Sequence, residues 1–135
     1  MNIKPEDIAA VTAALKRARH VAVLTGTGVS AESGVPPLCD CGKSVSRPDV
    51  VWFTEALPIA AIDRAQQAAR ECDVFFSIGT STQVFPAADL PFEAKVRGAV
   101  VVEINPDDTP LTQHADYVLR APSGIALPAL LQALG

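Results

Sequence analysis

A short β-branched run, Val21 to Thr25, feeds directly into a glycine-rich turn carrying Gly26, Gly28 and Ser30. A strand that ends this way commonly meets a nucleotide. Gly26 suits a tight turn, Gly28 suits close approach of backbone N–H groups to a pyrophosphate, and Ala31 stands at the third position of the G-x-G-x-x-G/A pattern. Thr25, Thr27, Ser30, Glu32 and Ser33 gather polar groups after a strand that is apolar nearly throughout. That contrast predicts a buried strand with a polar carboxyl end.

The rest of the chain repeats the theme. Pro5 to Ala18 reads as a helix, with acids in its first turn, bases in its last, and Ile8, Val11 and Leu15 on one face. A loop from about Gly34 to Asp49 precedes a second strand candidate, Val50 to Phe53. Further elements are expected as a helix from Pro58 to about Cys72, a strand from Asp73 to Gly79, a helix from Ala87 to Val96, a strand from Ala99 to Ile104, a short strand from Asp116 to Leu119, and a helix from about Ile125 to Leu134. Alternation of this kind predicts an α/β fold: a doubly wound, mainly parallel Rossmann-like sheet of about five strands with helices on both faces, in a single domain over residues 1–135.

Composition supports that architecture and removes several function classes. At 49% hydrophobic and 5% aromatic, the chain must build its core from Val, Ala, Leu and Ile, which suits strands covered on both faces. A net charge of -4 argues against a nucleic-acid partner, and Lys16, Arg17 and Arg19 read as a solvated helix face. No run approaches the ~18 apolar residues of a membrane span, so a soluble, cytoplasmic protein is expected. Cys39, Cys41 and Cys72 have neither disulfide-framework nor four-ligand zinc spacing, so neither is expected.

In a parallel sheet the ligand lies outside the carboxyl ends of the strands. Three strands end suitably: in Gly26 to Ser30, in Gly79-Thr80-Ser81, and in Asn105 followed by Asp107. Hydroxyls at Thr80 and Ser81 suit phosphate or ribose oxygens, and Asn105 and Asp107 suit ribose hydroxyls or an adenine edge.

Thr25 to Pro36 resembles the sirtuin signature Gly-Ala-Gly-Ile-Ser-Ala-Glu-Ser-Gly-Ile-Pro, and four later segments resemble the family in order. These are Arg47 to Pro58, Ser77 to Ala88, Glu103 to Asn105, and Ala121 to Gly124. The resemblance implies the large domain of an NAD-dependent protein deacylase, an enzyme that transfers acyl groups from lysine to ADP-ribose. It assigns Gly26, Thr27, Gly28, Ser30 and Glu32 to the pyrophosphate and nicotinamide-ribose end, and Gly79, Thr80, Ser81, Asn105 and Ser123 to the adenosine half.

The resemblance also implies a stretch of about a hundred residues, holding the helical and zinc modules and the catalytic His, where this chain has only the ten residues Pro37 to Ser46. A general base near operating pH is needed for the transfer, and imidazole suits it. His20 precedes the first strand, at the wrong edge, and His114 is placed nearer the adenosine half; neither is assigned as base. Thr27 stands where the family has Ala, Pro37-Leu38 where it has Thr-Phe-Arg, and Thr54 where it has Gly. The expectation is therefore a nucleotide-binding core, weak for NAD or ADP-ribose, without catalytic residues or a metal, and self-associating into a homo-oligomer. Two other readings stand beside it: a non-binding scaffold, and a deacylase completed by a partner that supplies the His and zinc module.

Overall fold

A computed structural model describes residues 2–34 and 56–135. The strand candidate at Val50 to Phe53, Cys39 and Cys41, Pro37-Leu38 and Thr54 lie outside the described residues. Helix α1, Pro5–Arg17, starts on Pro5, carries Glu6 and Asp7 in its first turn and Lys16 and Arg17 in its last, and so complements the helix dipole at both ends. Strand β1, Val21–Thr25, leads into a short helix α2, Thr27–Glu32. Helix α3, Ile59–Glu71, then precedes strand β2, Val74–Ile78.

The helix expected over Ala87 to Val96 divides into a 3-10 turn, Ala87–Asp89, and helix α4, Leu90–Val96. Pro91 is the reason. It has no N–H to give an α-helical bond and sits unstrained only in a first turn, so the α-helix begins beside it. Strands β3, Val100–Ile104, and β4, Tyr117–Leu119, follow, and helix α5, Ser123–Leu134, closes the chain with Pro128 inside it.

The four strands lie in the order β1-β2-β3-β4, every pair parallel, with Val21 beside Val74, Val74 beside Val100 and Val102 beside Tyr117. Period-2 alternation sorts their side chains into two cores. Val74, Phe76 and Ile78 of β2 meet Val11 of α1 and Ala126 and Leu130 of α5 on one face. Phe75 and Val101 meet Ala69 of α3 and Leu90 and Ala94 of α4 on the other. Helices thus cover both faces, and each fully buried Val, Leu, Ile or Phe contributes roughly 1.5–3 kcal/mol.

One expectation fails here. The first strand is not buried on both faces: Val21 is 46% and Val23 56% exposed. Helices α1 and α5 pack over β2, β3 and β4, so β1, at the end of the described strand order, has one face outside their cover. Its other face is inside, where Ala22 and Leu24 pack against the α3/α4 core.

Candidate functional site

Parallel strands bring their carboxyl ends to one edge, and backbone bonds lock the loops there to one another. Gly26 N–H donates to Ile78 O at 3.2 Å, Gly28 N–H to Gly79 O at 2.9 Å, Gly79 N–H to Ile104 O at 2.9 Å and Asn105 N–H to Leu119 O at 3.2 Å. A cleft of about 640 Å³ opens where the β1 and β2 loops meet. Gly26 and Thr27 form one wall and Thr80 and Ser81 another, and Leu57, Val84 and Phe85 supply apolar surface. Small-molecule sites have this character: mostly apolar walls with a few convergent polar groups.

The glycines also meet a packing requirement within the protein. A Cβ on Gly26 would lie 2.6 Å from Thr80 Cβ and 2.8 Å from Gly79 O, and one on Gly28 would lie 2.9 Å from Gly79 O. Protein, not an open cradle, occupies the space their side chains would take. Gly79 has φ +59 and lies against Val29, so the third glycine is required by conformation as well as by contact.

Of the ten residues that the sequence nominates, Gly26, Thr27, Thr80 and Ser81 line the cleft. Gly28 and Gly79 hold the β1 loop against the β2 loop from behind. The Ser30 hydroxyl donates to Gly26 O at 3.3 Å. Glu32 and Ser123 are brought to each other: the Ser123 hydroxyl donates to the Glu32 carboxylate, which also accepts the Gly124 N–H at 3.4 Å, so Glu32 caps α5. Asn105 bridges two loops, its Nδ2 donating to Thr80 O at 2.9 Å and its Oδ1 accepting the Asp107 N–H at 3.1 Å.

The chemistry of the cleft follows from what faces it. Thr80 Oγ1 accepts the Thr82 N–H at 3.3 Å, which leaves its hydroxyl proton to donate outward. Thr82 itself is buried with φ 50, an unusual conformation for a β-branched residue, and fixes the bend after Ser81. No charged side chain is among the described residues that line the cleft. Its described lining residues offer hydroxyls and backbone N–H groups as donors, and no acid–base pair is among them.

Both histidines lie elsewhere. The His20 carbonyl accepts the Asp73 N–H at 2.8 Å, at the amino end of the sheet, and the His114 ring packs edge-on against Phe92 with centroids 5.5 Å apart. Cys72 is buried against the α3/α4 core, and that burial pushes its thiol pKa up, as for a small core residue rather than a nucleophile. Among the described residues no group of three or more His, Cys, Asp or Glu could hold a metal, and no helix is long and apolar enough to cross a membrane.

Two features at this edge escape the sequence reading. Arg120 donates to the carbonyls of Asn105, at 3.2 Å, and Asp107, and pairs with Asp108 at 2.5 Å. Glu103, 1% exposed in mid-strand, accepts hydroxyl hydrogen bonds from Thr109 and Thr112. A charged residue inside an apolar strand is the signal that could have marked the second.

The fold and its edge have known counterparts. A family model described as Sir2 family matches residues 35–86, beginning just past the glycine loop. The NAD-dependent protein deacylase of Methylococcus capsulatus is 56% identical over 100 residues, which are 73% of this chain and 39% of that protein. A crystal structure of a Sir2 homologue in complex with NAD is 47% identical, with a TM-score of 0.61 over 74% of this chain and 40% of that one. A further solved Sir2 structure has a TM-score of 0.82 over 97% of this chain and 98% of that one, at 18% identity, a likeness of fold alone. The chain spans about two fifths of the length of the curated relatives that it matches.

Proposed function

The chain belongs to the Sir2 family, and from that premise we propose that its carboxyl-edge cleft binds NAD or ADP-ribose without carrying out deacylation by itself. The observation that carries this reading is the convergence of Gly26, Thr27, Thr80 and Ser81 on one cleft of about 640 Å³ at the ends of β1 and β2. Its volume suits a nucleotide, and its polar groups sit at the edge where open parallel sheets take ligands. Thr27, Thr80 and Ser81 would hold phosphate and ribose oxygens through hydroxyl and backbone donors. Asn105, by anchoring the Thr80 carbonyl, would set the wall toward the adenosine half.

NAD, on which the relatives named as NAD-dependent protein deacylases depend, would supply the acyl-accepting ADP-ribose unit that the sirtuin resemblance implies. This chain's described cleft residues would bind and orient that unit but have no side chain that could take a proton from a ribose hydroxyl. Deacylation would then need residues from outside this set. Thr27 adds a branched side chain to the ligand path, so affinity is expected to be weak.

Calorimetric titration with ADP-ribose tests the reading. Binding is expected with a dissociation constant of roughly 0.1–1 mM, and Thr27→Ala should tighten it about threefold to tenfold. Absence of heat for both proteins at millimolar ligand would overturn it. An acyl-lysine peptide supplied with NAD should give no turnover on the isolated chain.

A scaffold reading is favoured by one specific observation: Glu32 and Ser123 are already hydrogen-bonded to each other. It predicts no ADP-ribose binding even after Thr27→Ala. The apolar surface around the cleft, and the half-exposed face of β1, further support a chain that self-associates into a homo-oligomer.

A further inference from the structure

We infer that Glu103, acting through Thr109 and Thr112, is a positioning residue for the cleft; its functional meaning rests on the nucleotide-binding reading above. Glu103 is 1% exposed on a strand otherwise built of Val and Ile. Burying a carboxyl group there is costly unless its oxygens are bonded, and an apolar residue would pack with less penalty. The group therefore needs a reason that the core does not supply.

Its bonds give one. Oε1 accepts the Thr109 hydroxyl, and Oε2 accepts the Thr112 hydroxyl at 2.6 Å. With their protons committed inward, the same hydroxyl oxygens present lone pairs to the backbone: Thr109 Oγ1 accepts the Leu111 N–H at 3.1 Å and Thr112 Oγ1 accepts the Thr109 N–H at 2.9 Å. One carboxyl thus fixes the path of residues 109–112 from inside the sheet. From the β4 side, Arg120 holds the carbonyls of Asn105 and Asp107.

Between these two anchors lies the turn that begins at Asn105. Its amide is clamped, Oδ1 to the Asp107 N–H and Nδ2 to Thr80 O, and Thr80 with Ser81 forms a cleft wall. Glu103 does not line the cleft. It sets where the Asn105 amide sits, and the amide sets the Thr80 carbonyl.

Amide hydrogen exchange of Asp107 reads the Asn105 clamp directly and requires no ligand. Thr112→Val removes one donor to Glu103 at nearly constant volume, Thr112→Ser keeps it, and Val11→Ala weakens the opposite core as a control for lost stability. The expected result is an Asp107 exchange rate about tenfold faster in Thr112→Val, the scale of one lost hydrogen bond, and within about twofold of wild type in Thr112→Ser. ADP-ribose affinity should fall severalfold in Thr112→Val alone. Should Thr112→Val fail to fold, Glu103→Gln, which keeps the volume and one acceptor, takes its place with the same expectations. Unchanged Asp107 exchange, or an equal effect of Val11→Ala on exchange and affinity, would overturn the inference. If wild type binds no ADP-ribose, the nucleotide reading fails while the exchange measurement still decides the role of Glu103.

Discussion

At Gly26 the absent side chain makes room for another loop of the same protein. A motif states that something must approach closely, but not what approaches; here Thr80 Cβ would stand 2.6 Å from a Cβ on Gly26. The closeness of approach at Gly26 and Gly28 is therefore legible in the motif, whereas the protein atoms that approach them are not. Thr80 is 54 positions away in sequence, and no local rule pairs them. Gly26→Ala must push the β1 loop off the β2 loop, because the obstructing atoms include the Cα of Thr80 and the carbonyl of Gly79. Such overpacking costs roughly 1–3 kcal/mol, or a fall in Tm of about 5–10 °C for a domain of this size. Thermal denaturation checks it. A Tm unchanged in Gly26→Ala would mean that the two loops separate freely, and the cleft wall with them.

Elements were read best where their end signals are local. The limits of α1 and α3 lie within about a residue of expectation because prolines at their starts and apolar faces along them mark both helices. α2 leaves no such signal, being six residues long with no buried residue and no apolar stripe. The cap of α5 was equally out of reach, since the capping carboxylate belongs to Glu32, on a different helix. The joint between α1, β1 and β2 is of the same kind: Asp73 accepts the N–H groups of Arg19 at 2.7 Å and His20 at 3.0 Å. The His20 backbone donor, then that of Arg19, holds the Asp73 carboxyl below its usual range. A folded-state pKa below the unfolded one adds stability that is present above the unfolded value and is lost as pH falls through the folded one. Asp73→Ala should accordingly lower Tm at about pH 7, and the difference from wild type should narrow as pH falls below the unfolded carboxyl's value of about 3.9 and on through the lower folded one. A gap between the two proteins that stays constant down to about pH 2.5 would assign the effect to packing instead.

Across the whole molecule, the two cores account for the sheet between β2 and β4 better than for its β1 side. Val74, Phe76 and Phe75 are buried on both faces of β2, whereas Val23 is 56% exposed one strand away. Apart from that face of β1, Leu57 at 41% and Phe85 at 69% are exposed in the cleft lining, and Ile59 at 78% is exposed at the start of α3. Single exposed apolar residues need no explanation, but several around one cleft mark a surface that associates. This asymmetry was only partly legible: the apolar run at β1 is plain in the sequence, yet which strand the helices leave uncovered depends on the order of the strands in the sheet. Self-association through this side predicts a sedimentation coefficient that rises with protein concentration. Ile59→Glu places a charge on the most exposed of these residues around the cleft, at a position that lines neither core, so it should return the chain to monomer without a loss of Tm. The cleft adjoins the same surface, so saturating ADP-ribose should also shift the association equilibrium if the dimer covers it. A wild-type chain that sediments as a monomer at every concentration would remove self-association from the reading and leave that surface to be covered by another protein or by none.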